Sequence, residues 1–424
     1  MKLAIVGGGA SGMIAAYLLD RQGHQVTVYE KEAVLGGHIR TLNQNIPQSP
    51  NCPEYLETGV LEFPVEFRHF LQLMQELEIP LAPVQVGSGL FFRDGRRFLS
   101  PVMIDQNVRG WQRWRELLQV ESLYARSAGL WIKTHRSTPD QLRGSPLSDY
   151  LQPETPRTIW LKLLTMYSYS MPYETMDHFP AELAIPALRR YIFSHWVRIR
   201  GGVYSYIEKI LQRFSGTVMV NAEIHRIDRS GSSVFIQGCI AHQENFQTSF
   251  DRVIFATPPD QVLPLLADPS PSEVRRFRGW RRNDATTILH CDRQIYDAYG
   301  IRQGSEFDFF QTSTGWGYNA TLNQMCGVTS GVPYSLAFNL QEAIDPEKII
   351  HRQRHHTPYY DVDAMQYRSD VIAHNGCHKT YYVGAYLGDG LHEGAVVSAL
   401  RVAEAIGPAQ WADASLSAQA ALVR

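Results

Sequence analysis

The first forty-one residues, MKLAIVGGGASGMIAAYLLDRQGHQVTVYEKEAVLGGHIRT, constrain the fold more than any other stretch. Lys2 to Val6 reads as a short buried strand, Gly7, Gly9 and Gly12 supply a G-x-G-x-x-G turn, and Met13 to Leu19 begin a helix of small and apolar residues. Gly23 closes that helix, and Gln25 to Tyr29 alternate polar and apolar as a second strand ending in Glu30. Each part meets a requirement of nucleotide binding. Gly7 allows a tight turn, Gly9 lets backbone approach a pyrophosphate, and Gly12 lets helix pack on strand. The helix start, with Ala10 and Ser11, offers N–H groups and a positive dipole end to phosphates. Glu30 lies 18 residues past Gly12, followed by Lys31, where a carboxylate accepts hydrogen bonds from ribose hydroxyls. The unit predicts a Rossmann-type dinucleotide site.

Gly36-Gly37, His38, Arg40 and Thr41 follow closely. This segment resembles the amine-oxidase-like superfamily of FAD flavoproteins, whose second strand runs into Gly-Gly-Arg-x-x-Thr along the cofactor. His38 stands where most members carry arginine, and a subgroup of bacterial NAD/FAD-binding flavoproteins is similar in having Gly-Gly-His. The resemblance implies FAD rather than NAD, with Gly37, His38, Arg40 and Thr41 on the cofactor. It implies an α/β chain in which a Rossmann-type FAD-binding domain, p-hydroxybenzoate-hydroxylase-like in layout, is interleaved with an α+β substrate domain. It extends to Leu56-Glu57-Thr58-Gly59, read as a strand ending in a turn with Gly59 near the flavin ring, and to the Gly201-Gly202 turn. Val218 to Val220 and Glu223 to Ile227 read as a strand pair, with Ile224 on adenine, and Arg252 to Ala256 as a buried strand. At the far end, Tyr381 to Ala385 is a strand containing Gly384. Leu391-His392-Glu393-Gly394-Ala395 then begins a helix where relatives hold the isoalloxazine ring. A helix N-terminus stabilises an anion by about 0.3–1 kcal/mol, which suits the negative charge gathered by a reduced flavin.

A chain of 424 residues has room for two domains, and no repeat or flexible linker separates them. The expected division is 1–85, 201–262 and 371–407 for FAD, 86–200 and 263–370 for substrate, and 408–424 as a peripheral tail. A net charge of −2 gives no sign of nucleic acid. Five scattered cysteines without a C-x-x-C predict reduced thiols in a cytoplasmic protein, neither a disulfide framework nor a zinc site. A cofactor strand at Lys2 leaves no place for a signal peptide, and no apolar run is long enough to span a bilayer. Peripheral membrane contact is compatible with all of this.

The substrate half is helical and aromatic from about 104 to 200, and Trp111, Trp114, Tyr124, Trp131 and Trp160 read as core more than as ligand wall. Tyr167-Ser168-Tyr169-Ser170, with Phe179-Pro180-Ala181-Glu182, is similar to a run in a flavin-dependent polyunsaturated fatty acid isomerase. Pro64 to Leu77 reads as an amphipathic helix, and Asp94-Gly95 as the turn of a hairpin. Arg275 to Arg282 is a basic segment, either a solvated helix face or an anchor for a carboxylate or an anionic lipid surface. His351, His355 and His356 are placed on a helix broken by Pro358, with no acid at a useful offset, so no metal is expected.

Two histidines are candidate catalytic residues. His392 precedes the flavin-capping helix and would exchange a proton beside the hydride-transfer site. His290 lies on the strand Ala285 to Cys291, where amine-oxidase relatives place a lysine. Those relatives also carry an aromatic residue two positions before Glu-Gly-Ala; Leu391 stands here, removing one wall of a cation–π cage and favouring an apolar substrate. The expectation is an FAD-dependent oxidoreductase taking a hydride onto flavin N5 from a lipid-like or polyene substrate, or returning it as an isomerase. The alternatives are an amine or amino-acid oxidase and a non-enzymatic prenyl-binding protein of the same fold.

Overall fold

The computed structural model describes residues 1–50, 52–134, 137–241 and 243–407; the tail 408–424 lies outside them. Five parallel strands form the cofactor sheet: β1 (Lys2–Val6), β2 (Gln25–Tyr29), β3 (Thr217–Met219), β4 (Arg252–Phe255) and β5 (Thr380–Tyr382). Their order is β5-β4-β1-β2-β3, so β1 is central and delivers the glycine turn at its C-terminal end. Leu3, Ala4 and Ile5 of β1 and Val253 to Phe255 of β4 are wholly buried, as strands covered on both faces require.

Helix α1 (Ala10–Arg21) covers one face beside the C-terminal helix His392–Ile406. Ala15 and Ala16 share a core with Ala399 and Ala403, side chains small enough for close helix packing. Gln22 Nε2 donates to Ala403 O at 3.1 Å, so the two ends of the described chain are neighbours.

A three-stranded antiparallel meander, Ala222–Asp228, Val234–Ile240 and Glu244–Phe250, packs against this sheet, with Phe246 stacked on Tyr29 at 5.3 Å. The expected pairing of Val218–Val220 with Glu223–Ile227 does not occur. β3 runs parallel to β2, and Asn221, in a left-handed conformation (φ 52°), turns the chain into the meander. Asparagine tolerates that conformation better than most residues.

The second half is built on a seven-stranded sheet. Its order is Ile349–Pro358, Arg282–His290, Ser335–Phe338, Trp316–Thr321, Phe307–Gln311, Ser88–Phe91 and Arg97–Leu99. All neighbours are antiparallel except Phe307–Gln311 beside Ser88–Phe91. A small sheet joins Trp196–Ile199 to Phe63–Pro64 and Leu81–Val84.

Three expectations are corrected. Residues 349–358 form a strand and not a helix, with His355 and Thr357 facing inward on a period of two. Leu56 to Gly59 makes only a single bridge, Thr41 to Glu57. On the helix Trp111–Thr134, Trp111 and Trp114 are each 69% exposed, so neither belongs to the core; Trp160 does, and the side chains of Tyr124 and Trp131 lie outside the described residues.

Candidate active site

The glycine turn leaves donors free. The first backbone bond of α1 runs from Met13 N–H to Gly9 O at 3.0 Å; among the described residues, the N–H groups of Ala10, Ser11 and Gly12 have no partner. A Cβ on Gly12 would collide with Gly7 O and stand 3.0 Å from Ala256 Cβ, so helix, turn and β4 meet with no space to spare. Gly9 differs. Its backbone is extended (φ −73°, ψ −176°), which any residue can adopt, and an added Cβ would find only Gly37, with Cα at 3.6 Å and N at 3.9 Å. What Gly9 keeps clear is the space above the turn.

Around that space the carboxylate of Glu30, 7% exposed, accepts Gly8 N–H at 2.8 Å and Glu32 N–H at 2.9 Å. The Gly36-Gly37 turn is fastened to the glycine loop by Gly36 N–H to Gly8 O at 2.9 Å. Arg40 is buried and donates to Leu35 O and Ile39 O; its guanidinium also feels the charge of Glu30. Ala222 N–H donates to Glu30 O at 2.8 Å, which brings the meander strand carrying the buried Ile224 beside the acid. Lys31 is exposed.

Thr41 closes the cradle from below. Its hydroxyl donates to Glu57 Oε2 at 2.7 Å, and Val203 N–H donates to Glu57 Oε1 at 2.7 Å, so one buried carboxylate ties residues 41, 57 and 203. Burial pushes the Glu57 carboxyl up to about 8 even though both donors oppose the shift. Gly59 packs on His38 O and lies near the His355 ring. His38 is exposed, with Nε2 2.7 Å from His356 O, and His355 Nε2 lies 2.9 Å from Thr58 O.

The C-terminal helix repeats the pattern. Asp389 Oδ1 accepts Leu391 N–H at 3.0 Å and Gly394 N–H at 2.8 Å; among the described residues, the N–H groups of His392 and Glu393 keep no partner. Gly384 N–H is held by Ser398 Oγ at 2.9 Å. The Glu393 side chain points elsewhere: it accepts the N–H groups of His69 and Phe70 and caps the helix Arg68–Glu76. Any cofactor contact of Glu393 is therefore left to its backbone. Ala395 is buried in the same helix turn.

His392 packs edge-on against Phe63 (5.1 Å) and Phe70 (5.4 Å), with Nε2 3.4 Å from Tyr206 OH. Burial, and secondarily the neighbouring His38, pushes it down to about 4, so the ring is neutral at pH 7. His290 is not brought to the cradle. It is fully buried in the substrate sheet, with Nε2 2.8 Å from Asn319 Oδ1 and Nδ1 accepting Asp292 N–H. Thr287, three residues earlier on that strand, is the one that reaches Thr58 O, at 2.6 Å.

Sequence reasoning missed Glu62 and Glu306, and met Tyr167 only as part of the Tyr167–Ser170 run, without its partners. Tyr167 OH lies 3.1 Å from both carboxylate oxygens of Glu62, and its ring faces Phe307 (4.9 Å), Tyr318 (5.0 Å) and Tyr191 (6.4 Å). Burial pushes Glu62 up to about 8 and Glu306 up to about 7. No motif marks the two acids; the meeting of Glu62 with Tyr167 depends on the fold. The basic segment offers no free anchor at three of its arginines: Arg276 pairs with Asp370, Arg281 with Asp361 and Arg282 with Asp284. His356 faces Asp260 and His351 faces Gln353. One unforeseen grouping lies on the meander, where ligand atoms of Glu223, His225 and Cys239 fall within 4.8 Å of one another.

Free N–H groups at two helix starts, an acid at the end of β2 and a glycine held open above the turn fit the diphosphate, ribose and ring of FAD. The fold and site define an FAD-dependent oxidoreductase. The sequence model described as flavin containing amine oxidoreductase matches residues 10–305, and the chain belongs to that family. It is 21% identical over 335 residues to the flavin-dependent L-tryptophan oxidase RebO of Lentzea aerocolonigenes, covering 72% of this chain and 69% of that enzyme. It is 23% identical to an L-amino-acid oxidase of Bothrops moojeni over 72% of this chain and 62% of the relative, less than two thirds of that enzyme's length. Among solved structures, putrescine oxidase bound to putrescine superposes with a TM-score of 0.65 at 14% identity over 96% of this chain and 99% of that one. A fatty acid isomerase from P. acnes superposes with 0.68 at 15% over 95% and 98%. These two likenesses concern the fold.

Proposed function

We propose that this flavoenzyme removes a hydride from an apolar, lipid-like substrate, as a desaturase or oxidase or, if the hydride is returned, as a double-bond isomerase. The observation that carries this reading is Leu391. It stands at the start of the C-terminal helix, half-buried, and packs against the cores of both the cofactor half and the substrate half. An aliphatic side chain at that seam offers dispersion contact to a hydrocarbon and no aromatic face to an ammonium. FAD, when bound, supplies the hydride acceptor. The chain positions it through Gly9, Glu30 and the N–H groups at residues 10–12 and 392–393. His392, a neutral imidazole set edge-on against the stacked Phe63 and Phe70 rings, is our candidate for proton exchange.

The deciding experiment mixes the yellow protein anaerobically with unsaturated fatty acids and, separately, with amines and amino acids. Bleaching by fatty acids, or rearranged double bonds without bleaching, is the expected outcome; bleaching by amines alone overturns the reading. His392→Phe should retain its flavin and slow the productive reaction by about 100-fold, and an unchanged rate would make the ring a packing group.

Glu62 favours the second reading, oxidation of an amine or amino acid, because a carboxylate among tyrosines can hold a cation. Its protonation separates the two. With the carboxyl raised to about 8, Glu62 is neutral at pH 7 and, among its aromatic neighbours, suits a hydrocarbon; above pH 8 it becomes an anion. Turnover of an apolar substrate should therefore fall as pH rises through about 8, and Glu62→Gln should remove that limb. A rate that climbs through the same range supports the amine.

A further inference from the structure

The helix Trp111–Thr134 is apolar on two opposite sides. Inward it buries Val120, Leu123 and Leu130. Outward it carries Trp111 and Trp114 (each 69% exposed), Leu118 (72%) and Ile132 (80%). At 3.6 residues per turn these four fall within an arc of about 60°, facing away from the buried set. Val102, on the preceding helix Pro101–Asn107, is 46% exposed as well. Single exposed apolar residues are ordinary, but two tryptophans, a leucine and an isoleucine on one stripe require a partner.

Charge says which partner. Residues 101–134 contain five basic and three acidic residues, in a chain whose net charge is −2. One of the acids, Glu116, is buried and paired with Arg97. Asp105 is matched by Arg113; the third acid, Glu121, is exposed at the edge of the stripe, against which Arg109 and Arg115 also stand outward, and Arg115 lies over the Trp111 ring at 5.6 Å. Exposed tryptophan rings flanked by arginines match the composition of a membrane–water interface, where rings sit at headgroup depth and guanidiniums meet lipid phosphates. No helix among the described residues is long and apolar enough to cross a membrane, so the contact would be peripheral.

We propose that the stripe Trp111–Trp114–Leu118–Ile132 seats this protein on an anionic lipid surface. The inner face of the helix gives the seating a purpose. Val120 and Leu123 line a crevice with Leu90, Phe98 and Trp160 against the substrate sheet, so the helix stands between bilayer and substrate half. That purpose, drawing substrate from the membrane, rests on the apolar-substrate reading; the seating itself does not.

The test is flotation of the flavin-loaded full chain with vesicles of phosphatidylcholine and phosphatidylglycerol in equal parts, without substrate. The wild type should float. Trp111→Ser/Trp114→Ser/Leu118→Ser, whose sites touch no core, should keep its flavin and lose at least about tenfold in bound fraction. Arg109→Gln/Arg115→Gln should lose the preference for phosphatidylglycerol over phosphatidylcholine alone. Failure of the wild type to float, or equal flotation of the triple variant, overturns the proposal. A wild-type dimer that becomes monomeric in the triple variant, with no flotation by either, assigns the stripe to a second copy of the chain instead. Because substrate is absent, a negative result here leaves the anaerobic bleaching test of function untouched.

Discussion

Gly9→Val should give a folded, soluble and colourless protein. Its flavin content should drop from about one per chain to near zero while its circular dichroism stays that of the wild type. The argument is local. Gly9 has an extended backbone that valine adopts without strain, and the nearest atom to an added Cβ, Gly37 Cα at 3.6 Å, is at ordinary contact distance. The β- and γ-carbons would instead fill the space facing the free N–H groups of Ala10, Ser11 and Gly12, where a pyrophosphate must come close to the backbone. Gly12→Ala makes the contrast: its methyl would run into Gly7 O and Ala256 Cβ, so the turn itself must give way, and that variant should be recovered poorly or unfolded. A yellow Gly9→Val protein with stoichiometric flavin would remove the nucleotide from this turn.

The same distinction explains what could be read before the fold was known. The β1–α1–β2 unit and the helix from His392 are legible because their signals are local: strand period, glycine offsets and a terminal acid lie within thirty residues of each other. Partner choice between sheets is not local. The run around Val218 and the run around Ile224 are adjacent in sequence, yet they join different sheets through the left-handed Asn221. Periodicity also reports which residues are apolar on a helix side and not what covers that side, so Trp111 and Trp114 read as core although the fold leaves them outside. Glu62 and Glu306 were invisible for a related reason: a carboxylate acquires its shifted proton affinity from burial, which only the tertiary structure supplies. His290 could not be separated from Thr287 without the register that turns Thr287 toward Thr58.

Glu273→Ala should cost about 3–5 kcal/mol of stability, a large fraction of the roughly 5–15 kcal/mol that holds a typical protein folded. Arg229 meets Glu273 through two parallel bonds, 2.6 Å to Oε1 and 3.0 Å to Oε2, and both side chains are almost wholly buried. The arginine also donates to Thr380 Oγ1 at 2.9 Å, and Tyr382 OH donates to Glu273 Oε1 at 2.9 Å, so the pair fastens β5 to the meander and to the helix Pro271–Phe277. Removing the carboxylate strands a guanidinium in the interior. Arg229→Met/Glu273→Leu, which removes both charges, should recover much of the loss. The pH dependence has a definite sign. Burial alone would raise the Glu273 carboxyl, but Arg229 and the Ser270 N–H outweigh it and hold it at about 2. A depressed carboxylate contributes stability that is present above its unfolded value and is lost as pH falls toward 2. Glu57, raised to about 8, acts oppositely, and its contribution is lost as pH climbs through 8. Denaturant melts should therefore show a wild-type maximum at mildly acidic pH, between these two windows, with the Glu273→Ala deficit large at pH 6 and shrinking toward pH 2. A variant as stable as wild type at pH 6 would contradict this account. Because β5 leads into Gly384 and the free N–H groups at residues 392 and 393, the destabilised chain should lose flavin only as it unfolds, whereas Gly9→Val loses it while folded.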